Sequence, residues 1–467
     1  MKRGAAVALL ALTFACGGRS ALDGLDVSDV SGAAGISPRG GAAAGGTTSA
    51  GGAPGSAGRG GVSAGGVGGV GTSGAPIGGS GGTGGVLGCR SVPHYGINLQ
   101  SLVDEPPEIV GFAARPGGRV WVGANFTNRT SGYATLVEYP GDGTYAQISL
   151  RQPSRGGTVA LERLRAFAIG PKLETYLVLS SDANWGFGSD GTEQGYLMRW
   201  TQAGALEWTS QIDGPEARAV GVDASGNAYA FGRFQAQGYF LNLVSSSGDV
   251  RWAISDSSNV AETTGTFAVH SGGAITRARV IQLNGRLSWL VERINTEDQS
   301  VWTTLVGCPI SADDAVHLEV DEADNVYVVG DAACRLTDSA GFAQGSSDWP
   351  NLPIMGEHPG AFMIHKLDAS GVPQWTRQVS LGYIAGASST AIDREGLAVL
   401  SYTKDPSVAP VVSAVTKLDP NGGLLWRQEV CADASFVATD GACATYVTGN
   451  YCGSVAGIAV QRISDAQ

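Results

Sequence analysis

The chain has 467 residues, of which 71 are glycine and 15% are charged, and its formal net charge is −12. The charge is unevenly distributed, because residues 1–88 contain five basic and three acidic residues whereas residues 89–467 contain 25 basic and 39 acidic residues. A surface this acidic repels phosphate backbones and anionic headgroups, which argues against nucleic acid as a partner and against a peripheral grip on lipid.

The first residues have the pattern of an export signal. Lys2 and Arg3 precede an apolar run over residues 5–15 that only Thr13 interrupts. The run is too short to span a bilayer and has the length of a signal-peptide core. The sequence therefore predicts export from the cytoplasm.

The end of this run, L-T-F-A-C-G over residues 12–17, resembles the lipobox of bacterial lipoproteins, with Thr13 where leucine is commonest. The resemblance implies a signal peptide over residues 1–15, cleavage before Cys16, and acyl chains on its sulfur and amine that anchor the protein in a membrane. Gly17 replaces the aspartate that often retains such lipoproteins in the inner membrane, which favours the outer membrane. The alternative is an ordinary secretory signal, with Cys16 lost or free.

A glycine-rich segment follows the anchor. Residues 31–88 contain 25 glycines, no aromatic residue and no acidic residue. Such a segment cannot bury enough apolar surface to offset the entropy of ordering its backbone. We therefore expect residues 16–88 to be a lipidated cysteine with a disordered tether, and residues 89–467 to form the folded domain.

Internal repeats predict the fold of that domain. Residues 222–232 (V-D-A-S-G-N-A-Y-A-F-G) and 320–330 (V-D-E-A-D-N-V-Y-V-V-G) each predict two strands joined by a tight turn. In seven units a large, branched or threonine residue lies six positions after the residue that opens the turn. The pairs are Arg115 and Trp121, Gly170 and Tyr176, Asp223 and Tyr229, His270 and Thr276, Asp321 and Tyr327, Asp393 and Val399, and Asp440 and Tyr446.

A second hairpin follows in each unit. It is clearest as K-L-D-A-S-G-V-P-Q-W-T over residues 366–376 and K-L-D-P-N-G-G-L-L-W-R over residues 417–427, with looser copies ending at Trp208, Trp252, Trp302 and Tyr145. Four strands in about 50 residues, repeated seven times, predict an all-β, seven-bladed β-propeller with four-stranded blades. A pair of β-sandwiches and a β-solenoid are the alternatives.

The seventh unit ends before its outer strand. Residues 95–102 can supply that strand and close the ring, which removes an exposed sheet edge. The units resemble the bacterial β-propeller repeat family (SBBP-type), and the L-D-x-x-G-x-x-x-W half resembles blades of PQQ-type quinoprotein propellers. These resemblances imply a fold and no particular chemistry.

Six cysteines remain beside Cys16, an even number that suits an oxidising compartment. Cys308 and Cys431 follow outer strands, and Cys334 and Cys452 follow second strands at the same repeat positions. Because both kinds of connection emerge on one face, we predict the disulfides Cys308–Cys334 and Cys431–Cys452, and a third, Cys89–Cys443, that joins the ends of the ring.

The sequence carries no recognisable catalytic or metal motif. The five histidines are scattered, there is no C-x-x-C, and the G-x-S-x-G matches at residues 61–65 and 78–82 lie in the tether, where composition alone produces them. The adjacent cysteine pair of quinoprotein alcohol dehydrogenases is also missing. The D-x-x-G turns are typical of capped β-turns rather than of calcium loops. We therefore predict no cofactor and no metal, and favour binding over catalysis.

The longest insertions fall between the second and third strands of their units, as in residues 180–194 and 335–360. They contain the candidate ligand-binding residues Trp185, Phe187, Arg335, Trp349 and His358. Exposed aromatic side chains on a rigid scaffold are typical of binding sites for protein or glycan; the alternative is that they fold back over the blade edges. The sequence thus predicts a monomeric, outer-membrane-anchored surface binding or scaffold lipoprotein. A redox or hydrolytic propeller enzyme, and a component of outer-membrane assembly machinery, are the other hypotheses.

Overall fold

The protein is described from a computed structural model. The residues that the structure describes are 97–100, 107–115, 118–127, 132–139, 146–149, 162–181, 193–233, 239–256, 266–283, 286–306, 316–332, 361–379, 385–403, 413–430, 434–441, 444–449 and 457–464. All of them belong to one unit of the chain, residues 63–467.

These residues form seven antiparallel sheets of four strands each. Blade 1 consists of β2 (Glu108–Arg115), β3 (Arg119–Thr127), β4 (Gly132–Tyr139) and β5 (Ala146–Ser149). Blade 2 consists of β6 (Glu162–Ile169), β7 (Thr175–Ser181), β8 (Gln194–Trp200) and β9 (Leu206–Ile212). Blade 3 consists of β10 (Glu216–Val222), β11 (Ala228–Arg233), β12 (Tyr239–Val244) and β13 (Val250–Asp256). Blade 4 consists of β14 (Thr266–Val269), β15 (Ile275–Leu283), β16 (Arg286–Ile294) and β17 (Ser300–Val306).

The remaining blades follow the same order. Blade 5 consists of β18 (Val316–Val320), β19 (Val326–Ala332), β20 (Ala361–Leu367) and β21 (Pro373–Val379). Blade 6 consists of β22 (Ala385–Ile392), β23 (Leu397–Thr403), β24 (Ser413–Leu418) and β25 (Leu424–Val430). Blade 7 consists of β26 (Ala434–Thr439), β27 (Ala444–Gly449), β28 (Gly457–Ser464) and, from the other end of the chain, β1 (Ile97–Gln100).

The blades surround a common axis. The first strand of each blade, its inner strand, contacts the inner strand of the next blade, and β26 contacts β2, so the ring is closed. The predicted closing strand is confirmed, because β1 pairs with β28 from Ile97 opposite Val460 to Gln100 opposite Gly457. The sequence prediction of a seven-bladed propeller, and not a sandwich or a solenoid, is confirmed.

The core lies between neighbouring sheets. The described residues form seven hydrophobic clusters, one at each interface, including the interface between blades 7 and 1. Strand alternation explains this arrangement, since successive side chains point to opposite faces: Phe112 packs toward blade 7 and Ala113 toward blade 2. Each blade therefore buries both of its faces only when two neighbours are present.

Antiparallel pairing divides the connections between two faces of the ring. We call the face with the first-to-second and third-to-fourth connections the turn face. We call the opposite face, where the second-to-third and blade-to-blade connections lie, the loop face. The second strands β7 and β19, which precede the predicted insertions over residues 180–194 and 335–360, end at the loop face.

Candidate functional site

In blades 3, 5, 6 and 7 the first turn is capped by the aspartate that opens it. Asp223 Oδ1 accepts hydrogen bonds from the backbone N–H groups of Ser225 (2.8 Å) and Asn227 (2.9 Å). Asp321 caps the equivalent turn of blade 5 at Ala323 and Asn325, both at 2.9 Å. The carboxylates are therefore committed to the turns, as the sequence predicted for its D-x-x-G motifs.

The outer turns join each blade to the next. The indole N–H of the fourth-strand tryptophan donates to a main-chain carbonyl in the following blade, at 3.1 Å in four cases. The pairs are Trp208 and Ser246, Trp252 and Thr296, Trp302 and Ala369, and Trp375 and Pro420. Two residues further along, Thr304 and Arg377 donate to the carbonyls of Gly371 (2.7 Å) and Gly422 (2.9 Å). The polar groups of the turn face thus serve ring assembly.

The inner strands carry a repeated irregularity near the loop face. In five blades the pairing of inner and second strand skips one residue, five positions before the turn opener. The skipped residues are Val110, Arg165, Arg218, Ser388 and Ser435. Each is partly exposed, and the residues on either side of it are buried. A β-bulge re-aims a side chain, so these five residues, which we call the axial residues, are partly exposed between two buried neighbours.

Arg165 is held by two residues of its own blade. Its Nε–H donates to Ser180 Oγ (2.9 Å), and its Nη2 donates to Glu193 Oε1 (3.1 Å). Asn125 and Asp331 occupy the repeat position of Ser180 in blades 1 and 5. Each accepts a hydrogen bond from the backbone N–H that directly precedes the next blade's bulge, at 2.9 Å and 3.3 Å.

By this repeat equivalence, Ser180 lies beside the bulge of blade 3, where Arg218 stands. Arg165 and Arg218 lie on inner strands that contact each other, β6 and β10.

The interface between blades 5 and 6 contains a buried polar pair on the inner strands, which together form the hub of the propeller. Glu319 is 1% exposed and stands where the other six blades have alanine or glycine, two positions before the turn opener. Its Oε1 accepts a hydrogen bond from Thr390 Oγ1 (2.9 Å). Thr390 stands where the other blades have phenylalanine, valine or leucine. The two departures from the repeat therefore compensate each other.

His317 completes this interface. Its Nε2 lies 3.3 Å from the carbonyl oxygen of Ala387, whose N–H donates to Asp331. In blade 1 the single amide of Asn125 makes both contacts, to the N–H and the carbonyl of Leu164. Desolvation lowers the pKa of His317 to about 4, so at neutral pH the ring is uncharged and donates from Nε2.

A hydroxyl–imidazole–carboxylate chain lies between blades 4 and 5. His270 Nε2 is 2.7 Å from Thr276 Oγ1, and His270 Nδ1 is 3.1 Å from Asp324 Oδ1. The hydrogen bond from His270 lowers the pKa of Asp324 to about 2, and burial lowers that of His270. Thr276 and His270 are both fully buried, so a substrate cannot reach the Thr276 hydroxyl. The three hydrogen-bonded side chains instead connect blade 4 to blade 5.

The site residues predicted from the sequence lie outside the described residues. These are Cys16, Cys89, Cys308, Cys334, Cys431, Cys443 and Cys452, and the candidate ligand-binding residues Trp185, Phe187, Arg335, Trp349 and His358. Within the described ranges, no group of three or more His, Cys, Asp or Glu side chains could hold a metal ion. In the same part of the chain, no helix has the length and hydropathy of a membrane span.

Sequence reasoning missed the axial arginines and the Glu319–Thr390 pair. The sequence contains a signal for both. When the inner strands are aligned by counting back from each turn opener, polar residues stand out at positions where the other blades have small or apolar residues. The bulges themselves have no such signal, because they are visible only in the pairing register.

No protein-family model matches the chain, and no curated protein does either. Among solved structures, the chain is similar to the Dos1 propeller, with 10% identity, a TM-score of 0.43, and coverage of 81% of this chain and 95% of that one. It is also similar to the β-propeller domain of the Trilobed protease from Pyrococcus furiosus, with 8% identity, a TM-score of 0.46, and coverage of 78% and 99%.

A third structure, the acylaminoacyl peptidase of Pyrococcus horikoshii, has 8% identity and a TM-score of 0.44; the match covers 77% of this chain and 52% of that one. At these identities the likeness concerns the fold alone. The conclusion that the chain is a seven-bladed β-propeller rests on its own sheet order and ring closure.

Proposed function

We propose that this protein is a binding or scaffold lipoprotein of the cell envelope, anchored at the outer membrane through Cys16, whose propeller presents its loop face to a protein or glycan. The observation that carries the proposal is that the two faces of the ring differ in what their polar side chains do. On the turn face, polar side chains cap turns and hydrogen-bond one blade to the next. The axial residues lie near the loop face, and the second strands that precede the long insertions, β7 and β19, end there.

The anchor supports the same role. A lipid at Cys16 and a flexible tether over residues 16–88 would let the folded domain sample a wide volume around its attachment point. A tethered module of this kind suits capture of a partner better than turnover of a soluble substrate. The buried Thr276 hydroxyl also leaves the hydroxyl–imidazole–carboxylate chain without an accessible nucleophile, which favours binding over hydrolysis.

A binding screen of the full chain against envelope proteins and surface glycans tests the proposal. The double variant Trp185→Ala/Trp349→Ala should weaken capture about tenfold or more while the melting temperature stays within about 2 °C of the parent. Leu425→Ala, an exposed apolar residue of an outer strand that is 46% exposed, is the matched control and should bind normally. Intact capture together with a large loss of stability would show that the aromatic residues are packed inside the fold, and would overturn the proposal.

The anchor is tested separately. Cys16→Ser should shift the protein from the membrane fraction to the soluble fraction and remove the mass of the acyl chains from its N-terminal peptide. Unchanged membrane association of this variant would contradict lipidation at Cys16.

A further inference from the structure

We infer that Arg165 and Arg218 form a carboxylate-binding site at the axis of the propeller, on its loop face. The inference rests on the proposed binding role of that face and adds the chemical class of the ligand. Among the five axial residues these two alone carry charge, and they stand in neighbouring blades.

Access to the site comes from the bulges. Arg165 and Arg218 are partly exposed, whereas their immediate neighbours Leu164, Ala166, Ala217 and Ala219 are all at most 5% exposed. A regular strand would turn these long cationic side chains into an apolar interface, which is unfavourable. The extra residue in each inner strand instead presents them to solvent at the hub.

The guanidinium of Arg165 has hydrogen-bonding capacity for a ligand. It has five N–H donors, of which one goes to Ser180 and one to Glu193. The other three have no acceptor among the described residues. Arg218 can keep its contacts within the protein and still bind a ligand, because its guanidinium also has five N–H donors.

Glu193 indicates the class of ligand. Its carboxylate already lies 3.1 Å from Arg165 Nη2, with the glutamate side chain 38% exposed and the arginine side chain 27% exposed. Ion pairs this exposed are weak, so an incoming carboxylate that bridges both arginines can displace Glu193. Planar guanidinium groups match carboxylates through paired hydrogen bonds.

The net charge of the folded domain restricts the class of ligand further. Residues 89–467 contain 39 acidic against 25 basic residues, which opposes the approach of a polyanion. A pair of arginines in a domain of net negative charge therefore favours a single carboxylate, carried by a sugar acid or by an amino-acid derivative, over a nucleic acid or a polyphosphate.

Titration calorimetry of the full chain tests the site with two probes, glucuronate and N-acetylglycine, and with their uncharged counterparts, glucose and N-acetylglycinamide. We expect one or both carboxylates to bind in the millimolar range or tighter and the uncharged molecules not to bind. The probe that binds tells whether the carboxylate belongs to a sugar or to an amino acid.

Four variants locate the binding. Arg165→Ala and Arg218→Ala should each weaken it about tenfold, and Arg165→Lys, which keeps the charge without the planar fork, should weaken it also. Glu193→Gln should tighten it severalfold because the competing carboxylate is gone. Arg394→Ala, an exposed ion-paired arginine of the turn face, is the control and should bind normally.

Two results would overturn the inference: no heat from either carboxylate at about 10 mM, or binding that neither arginine variant changes in a protein with an unchanged melting temperature. Either result leaves the proposed function standing if the Trp185→Ala/Trp349→Ala variant loses its macromolecular partner. Arginine-dependent carboxylate binding without any macromolecular partner would support the site and refute the proposed scaffold role.

Discussion

Replacing Glu319 and Thr390 singly and together tests how the blade 5–blade 6 interface is stabilised. Glu319 is almost completely buried, and the Thr390 hydroxyl is fully buried and donates to it. Glu319→Ala leaves that hydroxyl without its acceptor, which destabilises the fold by about 1–3 kcal/mol. Thr390→Val removes a hydrogen bond to a buried carboxylate, which destabilises it by about 1.5–3 kcal/mol.

The double variant restores the residue types that the other blades use at these positions, alanine and valine. We expect it to lose less stability than the two single variants together, because neither position then leaves a buried polar group that had bonded to the other. The coupling energy between the two positions should be about 1 kcal/mol or more. Urea unfolding followed by tryptophan fluorescence gives all four values.

Additive losses in the double variant would refute this reasoning. They would mean that Glu319 and Thr390 stabilise the interface through separate neighbours, and that the paired departure from the repeat has no energetic meaning. The conservative variant Glu319→Gln, which keeps an acceptor for Thr390, is the control and should lose less than Glu319→Ala.

Three further predictions follow from the same contacts. Burial lowers the pKa of His365 to about 3, below its unfolded value near 6.5, so the stability that its neutral ring contributes is complete above pH 6.5 and is lost as the pH falls. Between pH 6 and 5 the free energy of unfolding should drop about 1 kcal/mol more in the parent than in His365→Gln. Parallel pH curves for the two proteins would contradict this prediction. Trp375→Phe removes an indole hydrogen bond to the carbonyl of Pro420, whereas no described residue accepts a hydrogen bond from the Trp426 indole. In chemical unfolding, Trp375→Phe should therefore destabilise the protein by about 1 kcal/mol more than Trp426→Phe. Equal losses of stability would show that the indole contact does not join the blades. Peptide mapping of the unreduced protein should find Cys308–Cys334, Cys431–Cys452 and Cys89–Cys443, and a Cys308–Cys431 linkage would show that the cysteine alignment is wrong.

The sequence predicted the blades well because each is a local unit with a turn signal at a fixed offset. The openers from Arg115 to Asp440 all lie where an inner strand gives way to the second strand. The missing outer strand of blade 7 was predicted as well, since a closed ring must pair the third strand with a segment from the other end of the chain.

The chemistry of the hub was not predicted, because it depends on contacts between blades. In the sequence, His270 and Thr276 depart from the aspartate and the aromatic residue that most units have at these two positions. The structure shows a coordinated exchange: His270 replaces the usual aspartate, Thr276 the usual aromatic residue, and Asp324 the usual glycine of the next turn. Three residues separated by up to 54 positions form one contact, which no local pattern reveals.

The proposed binding role of the loop face is tested most directly by hydroxyl-radical footprinting of the full chain with and without a partner from the binding screen. We predict protection near Arg163 and Glu193, at the loop-face ends of blade 2, with unchanged labelling of Val372 and Leu424 at the outer turns. Protection of the outer turns with the blade 2 residues unaffected would contradict this role, since the partner would then occupy the face whose polar groups join the blades.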